Sequence, residues 1–187
     1  RTPLVDLERI EVLRGPQPTL FGKNAIGGVV SVTSAKPTEE FEGKFSTSHE
    51  SEHDESQSLL VLSGPLSDNL LGRLTVSTRE MDGWITNERM KRLEPQRDET
   101  YIRGQLAWTS GDVDWNLKVE SADFDSVGYA MEALAPQDGY SLVFAGPIAV
   151  ETTENWVRSS GETFSQNTMD NFVLTSNYPM DNGGTLT

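Results

Sequence analysis

Two short stretches carry residue types that could do chemistry. His49-Glu50-Ser51-Glu52-His53 spells H-E-x-x-H, the spacing that puts two imidazoles on one face of a helix to hold zinc, with the glutamate as general base. The pattern needs a helix. Ser46-Thr47-Ser48 before it and Asp54-Glu55-Ser56 after it are poor helix formers, with no apolar stripe to dock one. The chain has only these two histidines, so neither a third imidazole ligand nor a separate Ser-His-Asp set can be assembled. An acidic hairpin tip is the plainer reading. The second stretch, Gly22-Lys23, resembles the end of a phosphate loop. That loop requires glycine five residues earlier, where Gln17 stands, and Ser or Thr next, where Asn24 stands. No catalytic residue, metal ligand or cofactor site follows from either stretch, and the chain reads as a non-enzyme.

Charge and composition exclude further classes. Among 187 residues the net charge is -14, which repels nucleic acid. There is no cysteine, hence no disulfide scaffold and no sulfur-based metal site. The longest apolar run, Leu59-Leu60-Val61-Leu62, is far too short for a membrane helix, a limit that does not apply to a β-barrel. Residues 1–37 carry +2 and the rest -16, and the composition shifts at the same place from Gly, Pro and Val to Ser, Thr, Asp and Glu. A boundary is expected there, giving segments 1–37 and 38–187.

Period-2 alternation predicts strands over 7–13 and 29–33, separated by Arg14-Gly15-Pro16, a helical turn at Pro18-Thr19-Leu20-Phe21 closed by Gly22, and tight turns at Asn24 and Gly27-Gly28. Six more strands are expected at 41–47, 57–63, 70–78, 101–109, 113–120 and 171–178, with a seventh beginning at 185. One face of these strands carries Arg73, Arg103, Lys118 and Glu120; the other carries Trp108, Trp115, Phe172 and Tyr178. Connections at 64–69, 110–112 and 179–184 are short, whereas those at 48–56, 81–99 and 126–168 are long, and the two kinds alternate. Short turns at one end, long loops at the other and charges on one strand face suit an outer-membrane barrel with an aromatic girdle. A soluble sheet with one core face and one wet face gives the same alternation. A secreted or periplasmic β-sandwich binding module is therefore the alternative.

The first segment is more specific. Leu7-Glu8-Arg9-Ile10-Glu11-Val12-Leu13-Arg14-Gly15-Pro16-Gln17, then Leu20-Phe21-Gly22-Lys23-Asn24-Ala25-Ile26-Gly27-Gly28-Val29-Val30, with Thr33 and Lys36-Pro37, closely resembles TonB-dependent outer-membrane receptors at the C-terminal end of their plug domain. The remainder resembles them only in style, as barrel hairpins. The resemblance implies a mainly β fold: a small α+β plug remnant followed by about six up-and-down strands of a transmembrane antiparallel barrel, unclosed here. It implies uptake across the bacterial outer membrane, driven through the periplasmic partner TonB, which acts on plug residues upstream of this chain. Ferric siderophores are the typical cargo; cobalamin, haem, nickel chelates and glycans are variants. Outer-membrane lipid is the surrounding partner.

Within the motif, Arg14 resembles the family's arginine at the plug surface and is expected to meet carboxylates on the barrel wall. Gly15, Pro16, Gly22, Asn24, Gly27 and Gly28 are expected to serve the turns. Pro18 stands where small residues are common, and the TonB box and most of the plug lie outside the sequence. From Glu120 to Asp170, a stretch that includes the third long loop, there are nine acidic residues and one basic one, Arg158. The loop reads as a solvated surface, or as one that attracts cations. Its aromatics Tyr129, Tyr140, Phe144, Trp156 and Phe164 are the expected substrate contacts. A plugged barrel of ~22 strands, at ~9–11 residues each, exceeds this chain in strands alone, so a piece of a longer protein is expected.

Overall fold

The computed structural model describes residues 4–22, 25–128, 157–158, 161–180 and 185–186. Strand β1 (Leu7–Arg14) pairs antiparallel with β2 (Gly28–Ser34), and the one-turn helix α1 (Pro18–Phe21) lies in the loop between them. Pro18 starts that helix, where a missing N–H costs nothing, and the Gly22 amide closes it on the Pro18 carbonyl at 3.0 Å. Gln17 N–H donates to the Ala25 carbonyl at 2.8 Å, tying the loop shut. Gly28 has a reason to be glycine. Its φ is +142°, and a Cβ there would sit 2.5 Å from the Leu13 carbonyl oxygen.

The remaining strands are β3 (Glu42–Glu50), β4 (Glu55–Ser67), β5 (Leu70–Met81), β6 (Ile85–Asn87), β7 (Arg92–Glu94), β8 (Gln96–Ser110), β9 (Val113–Val127), β10 (Val157–Arg158), β11 (Phe164–Pro179) and β12 (Thr185–Leu186). Seven of them form one open antiparallel sheet in the order β12-β11-β9-β8-β5-β4-β3. Each of these strands pairs with its neighbour in the chain, once the inserted β6, β7 and β10 are set aside. Those three make a separate small sheet in the order β10-β6-β7, with β10 parallel to β6.

The strands run longer than the alternation predicts. The stretch 48–56, expected as a long connection, is instead a strand end, a turn at 51–54 and a strand start, with His49 opposite Ser56 and Glu50 opposite Glu55. A ladder to an ordinary partner strand carries these polar residues despite their weak β propensity. At the other end, β4 and β5 are joined through Asp68 and Asn69, and β8 and β9 through Gly111 and Asp112.

Exposure along β8 shows which face is which. Ile102 is 46% exposed, whereas its neighbours Tyr101 and Arg103 are 4% and 2% exposed. The apolar side faces outward and the charged side is covered, the reverse of a soluble sheet. Leu74, Val119, Phe172 and Leu174 continue the outward apolar face. Trp108 and Trp115, opposite one another, stack near the short-turn end with ring centroids 6.0 Å apart. On the inward face, Tyr101, Ala122 and Phe124 form a small core against which Val5 and Met169 pack.

Candidate functional site: the junction of hairpin and wall

The covered charges meet one residue of the N-terminal hairpin. Asp6 precedes β1 in a left-handed conformation, φ 50°, which aspartate tolerates better than most residues. The Ala35 amide donates to its carbonyl at 3.0 Å, so Asp6 sits at the base of the hairpin. Its side chain, 7% exposed, points at the wall. There Arg73 Nε donates to Oδ2 at 2.9 Å and Arg73 Nη2 to Oδ1 at 2.5 Å. Thr75 Oγ1 donates to Oδ2 at 2.6 Å. Arg103 Nη2 donates both to Oδ2 and to the Asp6 carbonyl, each at 2.7 Å. Alternation places these donors: Arg73 and Thr75 lie on one face of β5, and Thr75 is directly opposite Arg103 on β8.

A buried carboxylate is tolerated when its lone pairs are filled by charged donors. Burial pushes the Asp6 carboxyl up, but the hydrogen bonds from Arg73, Thr75 and Arg103 and the charge of Arg73 outweigh it, leaving the pKa at about 2. The guanidiniums have further partners on the wall. Arg103 Nη1 lies 3.3 Å from the Tyr101 hydroxyl and 4.0 Å from Glu120, and Tyr101 donates to Glu120 at 2.7 Å. Lys118 pairs with Glu120 at 3.1 Å. Arg73 Nη1 reaches the Lys36 carbonyl at 3.3 Å and Glu42 at 3.7 Å. A second fastening follows in the chain, where Thr38 donates to Ser63 Oγ from its amide at 2.9 Å and its hydroxyl at 2.8 Å.

The residues singled out in the sequence fall around this junction. Arg14 is exposed at the end of β1, opposite Gly28, and makes no ion pair among the described residues; the contact with the wall is made by Asp6. Gly15 and Gly22 have φ of 84° and 79°, and Pro16 lies between β1 and α1. Asn24 lies outside the described residues, as do Tyr129, Tyr140, Phe144 and Trp156. Phe164 opens β11 and is exposed. The H-E-x-x-H residues form no helix. His49 belongs to β3, and the Glu50 carboxylate caps the tip, accepting from the amides of Glu52 and His53 at 2.7 and 3.0 Å and pairing with His53 Nδ1 at 2.7 Å. The His53 ring meets Trp84 edge-on, with centroids 4.7 Å apart. Among the described residues no three His, Asp or Glu side chains gather where they could hold a metal. Sequence reasoning missed Asp6 as a site residue. Its one signal was an acid in a mildly basic segment, ahead of a strand.

A profile of the TonB-dependent Receptor Plug Domain matches residues 1–29. The ferrienterobactin receptor of Escherichia coli is 29% identical over 191 aligned positions, covering 96% of this chain and 25% of the relative. The chain is similar to TonB-dependent receptors along nearly its whole length. The ferrioxamine B receptor of Salmonella typhimurium is 32% identical over 105 positions, 54% of this chain and 14% of that protein. The ferripyoverdine receptor of the Pseudomonas aeruginosa outer membrane superposes with a TM-score of 0.72 at 20% identity, over 97% of this chain and 23% of that one. The siderophore receptor PirA of Acinetobacter baumannii gives 0.63 at 24%, over 94% and 25%. At these identities the two structures establish the fold: the seven-stranded sheet corresponds to part of a receptor barrel. The chain belongs to the bacterial outer membrane, and its sequence spans about a quarter of the ferrienterobactin receptor.

Proposed function

We propose that this TonB-dependent receptor chain is the end of a plug and the beginning of a barrel, residues 1–37 and 38–187, of a transporter that takes up a ferric siderophore at TonB's expense of proton-gradient energy. The observation that carries the reading is the alignment with a ferrienterobactin receptor along nearly the whole chain, through both the hairpin and the wall. The inside-out sheet supports it. A strand with Ile102 exposed and Arg103 covered suits lipid on one side and a plug on the other. The β-sandwich alternative requires a second sheet packed on the apolar face, and among the described residues that face is bare. The acidic outer connections and their aromatics would be the approach surface for cargo.

The test is uptake of radioactive iron by cells expressing the complete receptor, supplied with a panel of ferric siderophores, with and without TonB. At least one siderophore is expected to deliver iron only when TonB is present. Uptake that does not depend on TonB, or delivery of no ferric siderophore while another cargo class is taken up, overturns the reading.

A further inference from the structure

The geometry points to a phospholipid site on the outward face of the wall: one acyl chain lies in a glycine-floored trough across β4, β5, β8 and β9, and an ammonium-bearing headgroup sits at the short turns beside it. The site rests on the assignment of this face to lipid and is independent of the cargo carried. Its basis is the make-up of the outward rows. The alternation that turns Ile102 outward also turns out Gly104 and Leu106. Gly64 lies directly opposite Gly72, Gly72 opposite Leu106, and Gly104 opposite Leu74 and Val119. A lipid face carries a band of apolar side chains, and at three positions here there is none. The result is a trough of about 540 Å³, walled by Leu62, Leu74, Leu106, Leu117 and Val119. A register shift between Pro65 and Ser67 accompanies Leu66, which leans over Gly72: a Cβ on Gly72 would come within 2.7 Å of Leu66 Cδ1. At Gly104 a Cβ would meet nothing within 4 Å, so that part of the trough is empty.

The occupant follows from what the trough offers. Ser63, Arg73 and Gln105 at its margin hold the alternate positions, on the covered face, so no polar side chain is presented. An extended peptide laid there would leave its main chain without partners. A second copy of the chain would need about 800 Å² of matching surface on each partner, far more than the trough supplies. Hydrocarbon has neither need, and an empty trough would forfeit dispersion contacts that a lipid tail restores. The trough is continuous with the apolar outward face. It lies one outward row from Leu70, Trp108 and Trp115, which stand opposite one another, and the turns at Asp68 and Asp112 follow. Short turns are periplasmic in outer-membrane barrels, so the chain comes from the inner leaflet. Both turns carry an exposed aspartate and no basic residue. Those carboxylates and the stacked indoles of Trp108 and Trp115 favour a cationic amine over an anionic headgroup.

The test uses the complete receptor, extracted from outer membranes in mild detergent, with bound phospholipid counted by native mass spectrometry. One phospholipid with an ethanolamine headgroup is expected to stay on each receptor. Gly104 has no positive φ, so Gly104→Leu fills the empty part without backbone strain. It is expected to lower the retained fraction by about tenfold, the scale of about two lost methylene contacts. Phe45→Trp, opposite Leu60 and off the trough, is expected to leave it unchanged. A second measurement needs no variant. The native receptor is placed in vesicles of phosphatidylethanolamine that carry a photoreactive diazirine in the acyl chain. Crosslinks are expected to concentrate on Leu106 and Leu117 over Leu174, which lies in the same row but outside the trough. Exchange into phosphatidylglycerol is expected to weaken retention about two- to fivefold, the scale of exposed ion pairs, a difference that Asp68→Asn with Asp112→Asn removes. The acyl site is overturned by even labelling along the row, by no retained phospholipid, by native retention in a folded Gly104→Leu receptor, or by a receptor dimer in place of the lipid. Equal retention of the two headgroups overturns the headgroup assignment.

Discussion

Ile102 and Arg103 are consecutive on β8, and the structure assigns them opposite solvents. Replacing Ile102 with arginine in the complete receptor puts a second guanidinium one residue from the first, but on the outward face. Ile102 is the seventh of 15 residues in β8, close to the middle of the strand. A charge on the lipid face of a barrel costs about 2–4 kcal/mol at the bilayer midplane, falling to about 0–1 kcal/mol near the interfaces. Phe164→Arg is the control. It lies at the first position of β11, on the same outward face, and should cost the smaller amount apart from its lost ring contacts. The assay is urea unfolding of the receptor in lipid vesicles, read by tryptophan fluorescence. With a slope on the order of 2 kcal/mol per molar, a 3 kcal/mol penalty lowers the midpoint by about 1.5 M. If lipid does not cover this face, Ile102→Arg is an ordinary surface change within about 0.5 kcal/mol. A cost below about 1 kcal/mol for Ile102→Arg, or equal costs at the two positions, refutes the assignment of faces.

Three further outcomes follow from the junction and the motifs. The Asp6 carboxyl is lowered from 3.8 to about 2, so its stabilisation is fully present above the unfolded value and is lost as pH falls through the folded one; unfolding midpoints should show up to about 2 kcal/mol of loss between about pH 4 and 2 that Asp6→Asn lacks. Gly28→Ala forces a Cβ to 2.5 Å from a backbone oxygen at positive φ and should destabilise the hairpin by about 1–3 kcal/mol, whereas Gly27→Ala, with nothing within 4 Å, should be nearly silent; protease sensitivity of the plug distinguishes them. Because His49 lies in a strand and Glu50 caps the turn, the purified receptor should hold no stoichiometric zinc after chelation and dialysis; retained zinc that His53→Ala removes would contradict this.

The strands that alternate cleanly were legible because side chains on a strand change face at every residue, and a barrel wall separates two solvents. The hairpin was legible because its turns demand glycine and proline at fixed places. The extension of β3 and β4 through His49, Glu50, Glu55 and Ser56 was hidden, since polar residues form a strand there only when a partner ladder is present. Strands of three residues, such as β6 and β7, are too short for a period to show. The junction was half visible. Arg73 and Arg103 stood out as charges on one face, but their counter-charge lies 67 and 97 residues away, and no local pattern signals a contact across such a separation.

That separation also bears on the order of assembly. Every strand of the wall pairs with the next wall strand in chain order, so each wall hairpin can close as soon as its second strand is in place, and even the long connection between β9 and β11 adds only slowly to the loop-closure cost. The β1–β2 hairpin comes first in sequence and can form early by itself. Its docking cannot be complete so early, because Arg103 belongs to the fourth strand of the wall. The plug hairpin is therefore folded before it is fully anchored: Arg73 and Thr75 of β5 can receive the Asp6 carboxylate first, and Arg103 of β8 closes the junction afterwards.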